Sequence, residues 1–108
     1  MNIQFTDNSK EVSENIKAAL LRGLETCGLV AEGYAKKLAP VDTGNLRNSI
    51  THEVDDGEPA AYIGTSVEYA PYQELGTIHM KAQPFLKPAV ADHANEYRKI
   101  IENELKNG

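Results

Sequence analysis

Asp42-Thr43-Gly44 is the one tripeptide in this sequence with a catalytic association. In small dimeric aspartic proteases of the retroviral type, an Asp-Thr-Gly from each subunit brings two carboxylates together. They share a proton because like charges that close do not both ionise. The surroundings here differ. In those proteases the tripeptide follows an apolar strand of an all-β sandwich; Asp42 follows Pro40 and a helical pattern, and the next residue is Asn45, not a small apolar one. The same residues make a turn, in which Asp42 or Thr43 accepts backbone hydrogen bonds and Gly44 supplies a positive φ. A short motif outside its structural context is weak support for catalysis. The turn is therefore the reading, and a dimeric protease through Asp42 the alternative.

The other reactive residue types form no recognisable set. His52, His79 and His93 fit no metal-ligand spacing, and Cys27 has no second cysteine beside it. Cys27 lies on an apolar stripe and reads as a small core residue. Ser/His/Asp sets, phosphate-cradling glycine loops and helical HExxH motifs are all missing. No catalytic residue, metal or cofactor is expected.

The elements that must position these residues follow from periodicity. Ile3 and Phe5 alternate in a short strand over residues 1–6. Asn8 and Glu11 have capping-box spacing. Val12, Ile16, Leu20, Leu24, Cys27, Ala31, Tyr34 and Leu38 then recur at three- and four-residue steps, one stripe of a helix running to about Ala39. Its roughly 30 residues span about 45 Å. Gly23, Gly28 and Gly33 each weaken it by about 1 kcal/mol, so packing offsets that cost or the helix breaks near Gly28. Pro40 ends it. Residues 46–55 read as extended, with Ile50, His52 and Val54 on one face; Asp56-Gly57 is a turn signal, and residues 60–67 are the return strand of a hairpin. Tyr69–Leu75 is a short helix with Pro71 in its first turn and Gly76 as its C-cap. Residues 77–84 form a loop. A last helix starts between Phe85 and Pro88, with Leu86, Val90, Ala94, Tyr97, Ile101 and Leu105 as its stripe. The expected architecture is one α+β domain over residues 1–108: a long N-terminal and a C-terminal helix packed on a small antiparallel sheet, the hairpin plus the short N-terminal strand.

Composition limits the function classes. Sixteen acidic against eleven basic residues give a net charge of −5, which argues against gripping a nucleic acid backbone. An acidic wall still suits a surface that DNA slides past. One cysteine forms no internal disulfide. The N-terminal residues resemble no signal peptide, and no apolar run approaches the ~20 residues of a membrane span, so synthesis and retention in a cytoplasm are expected. Tyr62, Tyr69 and Tyr72 cluster near the second hairpin strand and short helix; they serve an interface or cover the small core.

Three segments carry a family resemblance: Leu38-Ala39-Pro40-Val41-Asp42-Thr43-Gly44-Asn45-Leu46-Arg47-Asn48-Ser49-Ile50, then Gly64–Thr77, then Gln83-Pro84-Phe85-Leu86-Lys87-Pro88-Ala89. Together, in this order, they resemble the tail-component family of long-tailed phages and prophages. Leu75 departs from the phenylalanine expected before Gly76. The resemblance implies a structural virion protein of the neck or tail end, acting in head–tail joining or tail completion and forming a ring with other copies. It also implies other neck and tail proteins as partners, no membrane, no specific nucleic-acid binding although DNA passes through the ring, and a path from host cytoplasm to virion. A ring subunit that must not assemble early orders a segment on docking. The loop bounded by Gly76 and Pro84, with Ile78 and Met80, is the expected segment, and Phe85 adjoins it. Asp55, Asp56 and Glu58 at the hairpin tip would repel passing DNA if they face a channel.

Overall fold

A computed structural model of the chain describes residues 2–6, 14–40, 45–79 and 81–107. Asn8, Glu11, Val12, Asp42, Thr43, Gly44 and Met80 lie outside the described residues. The elements are β1 (Asn2–Thr6), α1 (Glu14–Leu38), α2 (Asn45–Ser49), β2 (Thr51–Asp55), β3 (Ala60–Gly64), α3 (Ala70–Leu75), α4 (Leu86–Ala91) and α5 (Ala94–Asn107). The three strands form one antiparallel sheet in the order β1-β3-β2. His52 pairs with Ile63 and Glu53 with Tyr62; Ile3 pairs with Ile63 from the other side. The architecture is α+β, as the pattern predicts. It is not the all-β sandwich that a retroviral-type protease requires, so the alternative through Asp42 loses its scaffold.

One layer of helix covers one face of the sheet. α1 packs on β2 and β3 and against α4 and α5, and α4 also contacts β1. Phe85, Leu20, Leu24, Ile50, Ile63, Leu86 and Cys27 are the largest fully buried side chains. The middle of the expected α1 stripe is buried, at Leu20, Leu24, Cys27 and Ala31, but Ile16 and Leu38 are about half exposed. The two ends differ. A 25-residue helix runs ~37 Å, while five-residue strands cover only ~17 Å, which leaves less sheet to cover the first turns at Ile16. At the other end the buried face continues on Ala35 and Ala39, and Leu38 lies off it. The buried face is also wider than the stripe: Ala19, Gly23, Gly28 and Ala35 complete it with small residues.

Of the two outcomes expected at Gly28, packing prevails: α1 runs unbroken, because the glycine lets β2 approach and a Cβ there would meet the His52 ring at 2.9 Å. Two expectations are corrected. Residues 46–49, expected to be extended, fall in the short helix α2. Ser49 Oγ donates to the Leu46 carbonyl at 2.7 Å, and Leu46 is buried, so the turn closes locally before β2 begins. The single C-terminal helix is two. α4 ends where Asp92 N–H donates to the Pro88 carbonyl, and the chain turns so that His93 stacks on Tyr34 of α1, with ring centroids 3.6 Å apart.

Candidate docking surface

α3 is built to present one face. Thr65 Oγ1 accepts the Val67 N–H at 3.1 Å and sets the turn that leads in; Pro71 sits in the first helical turn. Gly76 ends the helix at φ 78°, a left-handed value that glycine adopts without strain, and its N–H donates to the Tyr72 carbonyl at 2.8 Å. Ala70 and Glu74, four residues apart, point inward and are buried. The opposite arc carries Tyr69, Tyr72 and Leu75 at three-residue steps, and Ile78 follows. Leu75 is 72% exposed and Ile78 95%. Four large apolar groups in one run, facing water, make this a candidate contact surface.

Glu74 explains why the run stays in place. Its Oε1 accepts the N–H groups of Phe85 at 3.0 Å and Leu86 at 2.8 Å, and its Oε2 accepts that of Lys87 at 3.2 Å. These are donors at the first turn of α4 that the helix itself leaves unpaired. One buried carboxylate thus caps α4 from another helix. Gln83 N–H donates to the Gln73 carbonyl at 2.7 Å. The two attachments pin the far end of the loop 77–84 to α3 while Ile78 projects from it.

The remaining expected site residues separate into groups. Tyr69, Tyr72 and Ile78 come together on this surface. Tyr62 does not: it is half-buried on the sheet face that α1 leaves uncovered. Phe85, expected at an interface, is fully buried in the core, because its backbone is held by Glu74 and its ring drops beneath α3 and α4. Pro84 is exposed, and Pro40 follows the end of α1. Sequence reading missed Leu75 and Glu74. Leu75 carries a legible signal, three residues after Tyr72 and just before a C-cap glycine. Glu74 carries none, since its partners are backbone groups eleven to thirteen residues on.

An open groove of about 860 Å³ runs over β2 and β3, lined in part by Thr51, His52, Glu53, Asp55, Asp56 and Tyr62. Its carboxylates are Glu53, Asp55 and Asp56, and its one basic side chain is His52. On the covered face His52 bridges two carboxylates, Nδ1 to Glu32 at 3.0 Å and Nε2 to Glu25 at 2.6 Å. Burial alone lowers the pKa of this ring, but the bonds to Glu25 and Glu32 outweigh it, so the imidazole holds its proton above the usual value. Both ring nitrogens are occupied, and no group of three His, Cys, Asp or Glu among the described residues has the geometry to hold a metal ion. Cys27 is buried, with its thiol donating to the Tyr97 carbonyl. Burial, then the nearby Glu96, pushes its pKa up to about 11, which leaves it unreactive at neutral pH. Among the described residues no helix is long and apolar enough to cross a membrane.

The family described as "Bacteriophage HK97-gp10, putative tail-component" matches residues 3–76, from β1 to the C-cap of α3. No curated protein and no solved structure matches the chain.

Proposed function

Because the chain belongs to the HK97-gp10-like family of bacteriophage tail components, we propose that it is a structural virion protein of the neck or tail end. It acts in head–tail joining or tail completion, by docking onto other protein chains and closing into a ring. The observation that carries the docking reading is the exposed run Tyr69-Tyr72-Leu75-Ile78, held in place by the Glu74 carboxylate. Tyrosine is a usual anchor of a protein interface, and a contiguous exposed apolar run beside it is a mark of an interaction site. Catalysis has no part in this reading. The protein is made in the host cytoplasm and carried into the virion, and DNA passes its acidic surface without specific binding.

Deleting the gene from the parent phage and imaging the lysate by electron microscopy tests the proposal. Filled heads beside separate tails are the expected result. Normally joined, infectious particles would overturn it.

A further inference from the structure

We propose that the exposed run ending at Ile78 docks into the open groove over β2 and β3 of a second copy of this chain, head to tail. The inference rests on the reading of the chain as a docking protein and names its partner. Knob and groove share no residue: the run spans Tyr69–Ile78, and the groove is lined from Ser49 to Ser66. Each copy therefore offers one of each, which is the requirement of a heterologous contact that closes into a ring.

Charge selects the same pairing. Between Tyr69 and Pro84 the one acidic residue is Glu74, and it is buried beneath α4. The exposed charge of that segment is the cation Lys81. The groove carries Glu53, Asp55 and Asp56 and neither lysine nor arginine; its one basic side chain, His52, is already engaged by Glu25 and Glu32. Tyr62, half-buried in its floor, supplies an apolar surface for Leu75 and Ile78, while Lys81 meets the acidic rim. Juxtaposing two grooves would set acid against acid, so a two-fold pairing through the groove is opposed by the same charges. The pinned loop keeps the knob in position before contact, which lowers the ordering cost of docking.

Engineered cysteines test the contact in the full-length chain, where the buried Cys27 does not compete. An Ile78→Cys chain is mixed with a Tyr62→Cys chain at high concentration and oxidised gently. The 78–62 disulfide is expected to form at least ~10-fold faster than one between Ile78→Cys and Lys99→Cys, an exposed control on α5, because docking raises the local thiol concentration. Glu53→Cys, exposed and opposite Tyr62 in the ladder, replaces Tyr62→Cys if that variant misfolds. Lys81→Glu is expected to slow the cross-link, and Glu53→Lys in the partner chain to restore it. A rate no higher than the control, or dominant 78–78 cross-links, overturns the proposal. If the gene deletion separates heads from tails while no 78–62 cross-link forms, the tail role stands and this contact falls.

Discussion

Two polar side chains hold this small fold together in ways that single substitutions expose. Glu74 is 5% exposed and accepts three backbone N–H groups. Replacing it with alanine leaves those donors facing a cavity, and a buried donor without a partner costs ~1–3 kcal/mol, partly recovered by entering water. Glu74→Ala is expected to lose about 3 kcal/mol, a large share of the ~5–15 kcal/mol typical of a domain. Glu74→Gln keeps Oε1 for Phe85 and Leu86 and is expected to lose about half as much. Urea unfolding at constant m-value measures both, and equal midpoints for wild type and alanine variant would refute the capping role. His52 governs a pH effect. Its folded pKa is raised, so its contribution is complete below the unfolded value of 6.5 and is lost as pH rises through the folded value. Glu32 works in the opposite sense. Burial pushes its pKa up, but bonds from His52 and Lys36 outweigh that and hold it below 4.5, so its contribution is complete above 4.5 and is lost as pH falls through the folded value. Stability from this cluster therefore peaks between about 4.5 and 6.5. Thermal unfolding from pH 5 to 9 is expected to show a decline above pH 6.5 that His52→Gln removes. A parallel decline in the variant would assign it to other groups.

At the scale of elements, the glycines of α1 separate cost from use. Gly33 has nothing within 4 Å of an added Cβ, so it spends helix stability without a packing return. Gly33→Ala is expected to gain about 0.5–1 kcal/mol. Gly28→Ala gains the same helix propensity but drives a methyl into His52, where Cδ2, Cγ and Cβ lie at 2.9, 3.2 and 3.3 Å. It is expected to lose stability on balance, read as a melting temperature below wild type beside one above it for Gly33→Ala. Two rises would mean that β2 yields freely. The same helix shows what the sequence makes legible. Leu20, Leu24, Cys27 and Ala31 announce the buried face because periodicity reports burial directly. At Ile16 and Leu38 the apolar type is present and the burial is not: the sheet is short beside the first turns, and at the last turn small residues, Ala35 and Ala39, carry the buried face instead. The hairpin 51–64 and α3 are legible from alternation and from Pro71 and Gly76. α2 is not, because its five residues close through a Ser49 side chain bond that no period encodes. The proposed docking surface is half legible. Tyr69, Tyr72 and Ile78 stand out by type, but only tertiary packing removes Phe85 from the surface and adds Leu75 to it.

For the whole molecule, the proposed head-to-tail ring raises the question of where a net charge of −5 would go. The hairpin tip sorts its acids by use. Asp55 Oδ1 accepts the N–H groups of Gly57 at 3.0 Å and Glu58 at 3.5 Å, so its carboxylate shapes the turn. Asp55 and Asp56 both line the groove that, on the head-to-tail reading, the neighbouring copy covers. Glu58 is exposed at the turn and outside that groove. If the tip faces the DNA passage, Glu58 is the residue left to repel phosphate there, and ring symmetry repeats it once per copy. Asp56→Lys is then expected to lower the yield of joined particles by spoiling the contact with Lys81. Glu58→Lys is expected to leave assembly intact and slow DNA ejection, since each copy replaces a repelling charge with one that attracts the backbone and does so more strongly at low salt. Ejection kinetics of purified Glu58→Lys particles at two salt concentrations decide it. A slowed, salt-sensitive release places the hairpin tip on the channel wall; a rate equal to wild type at both concentrations removes it from the channel.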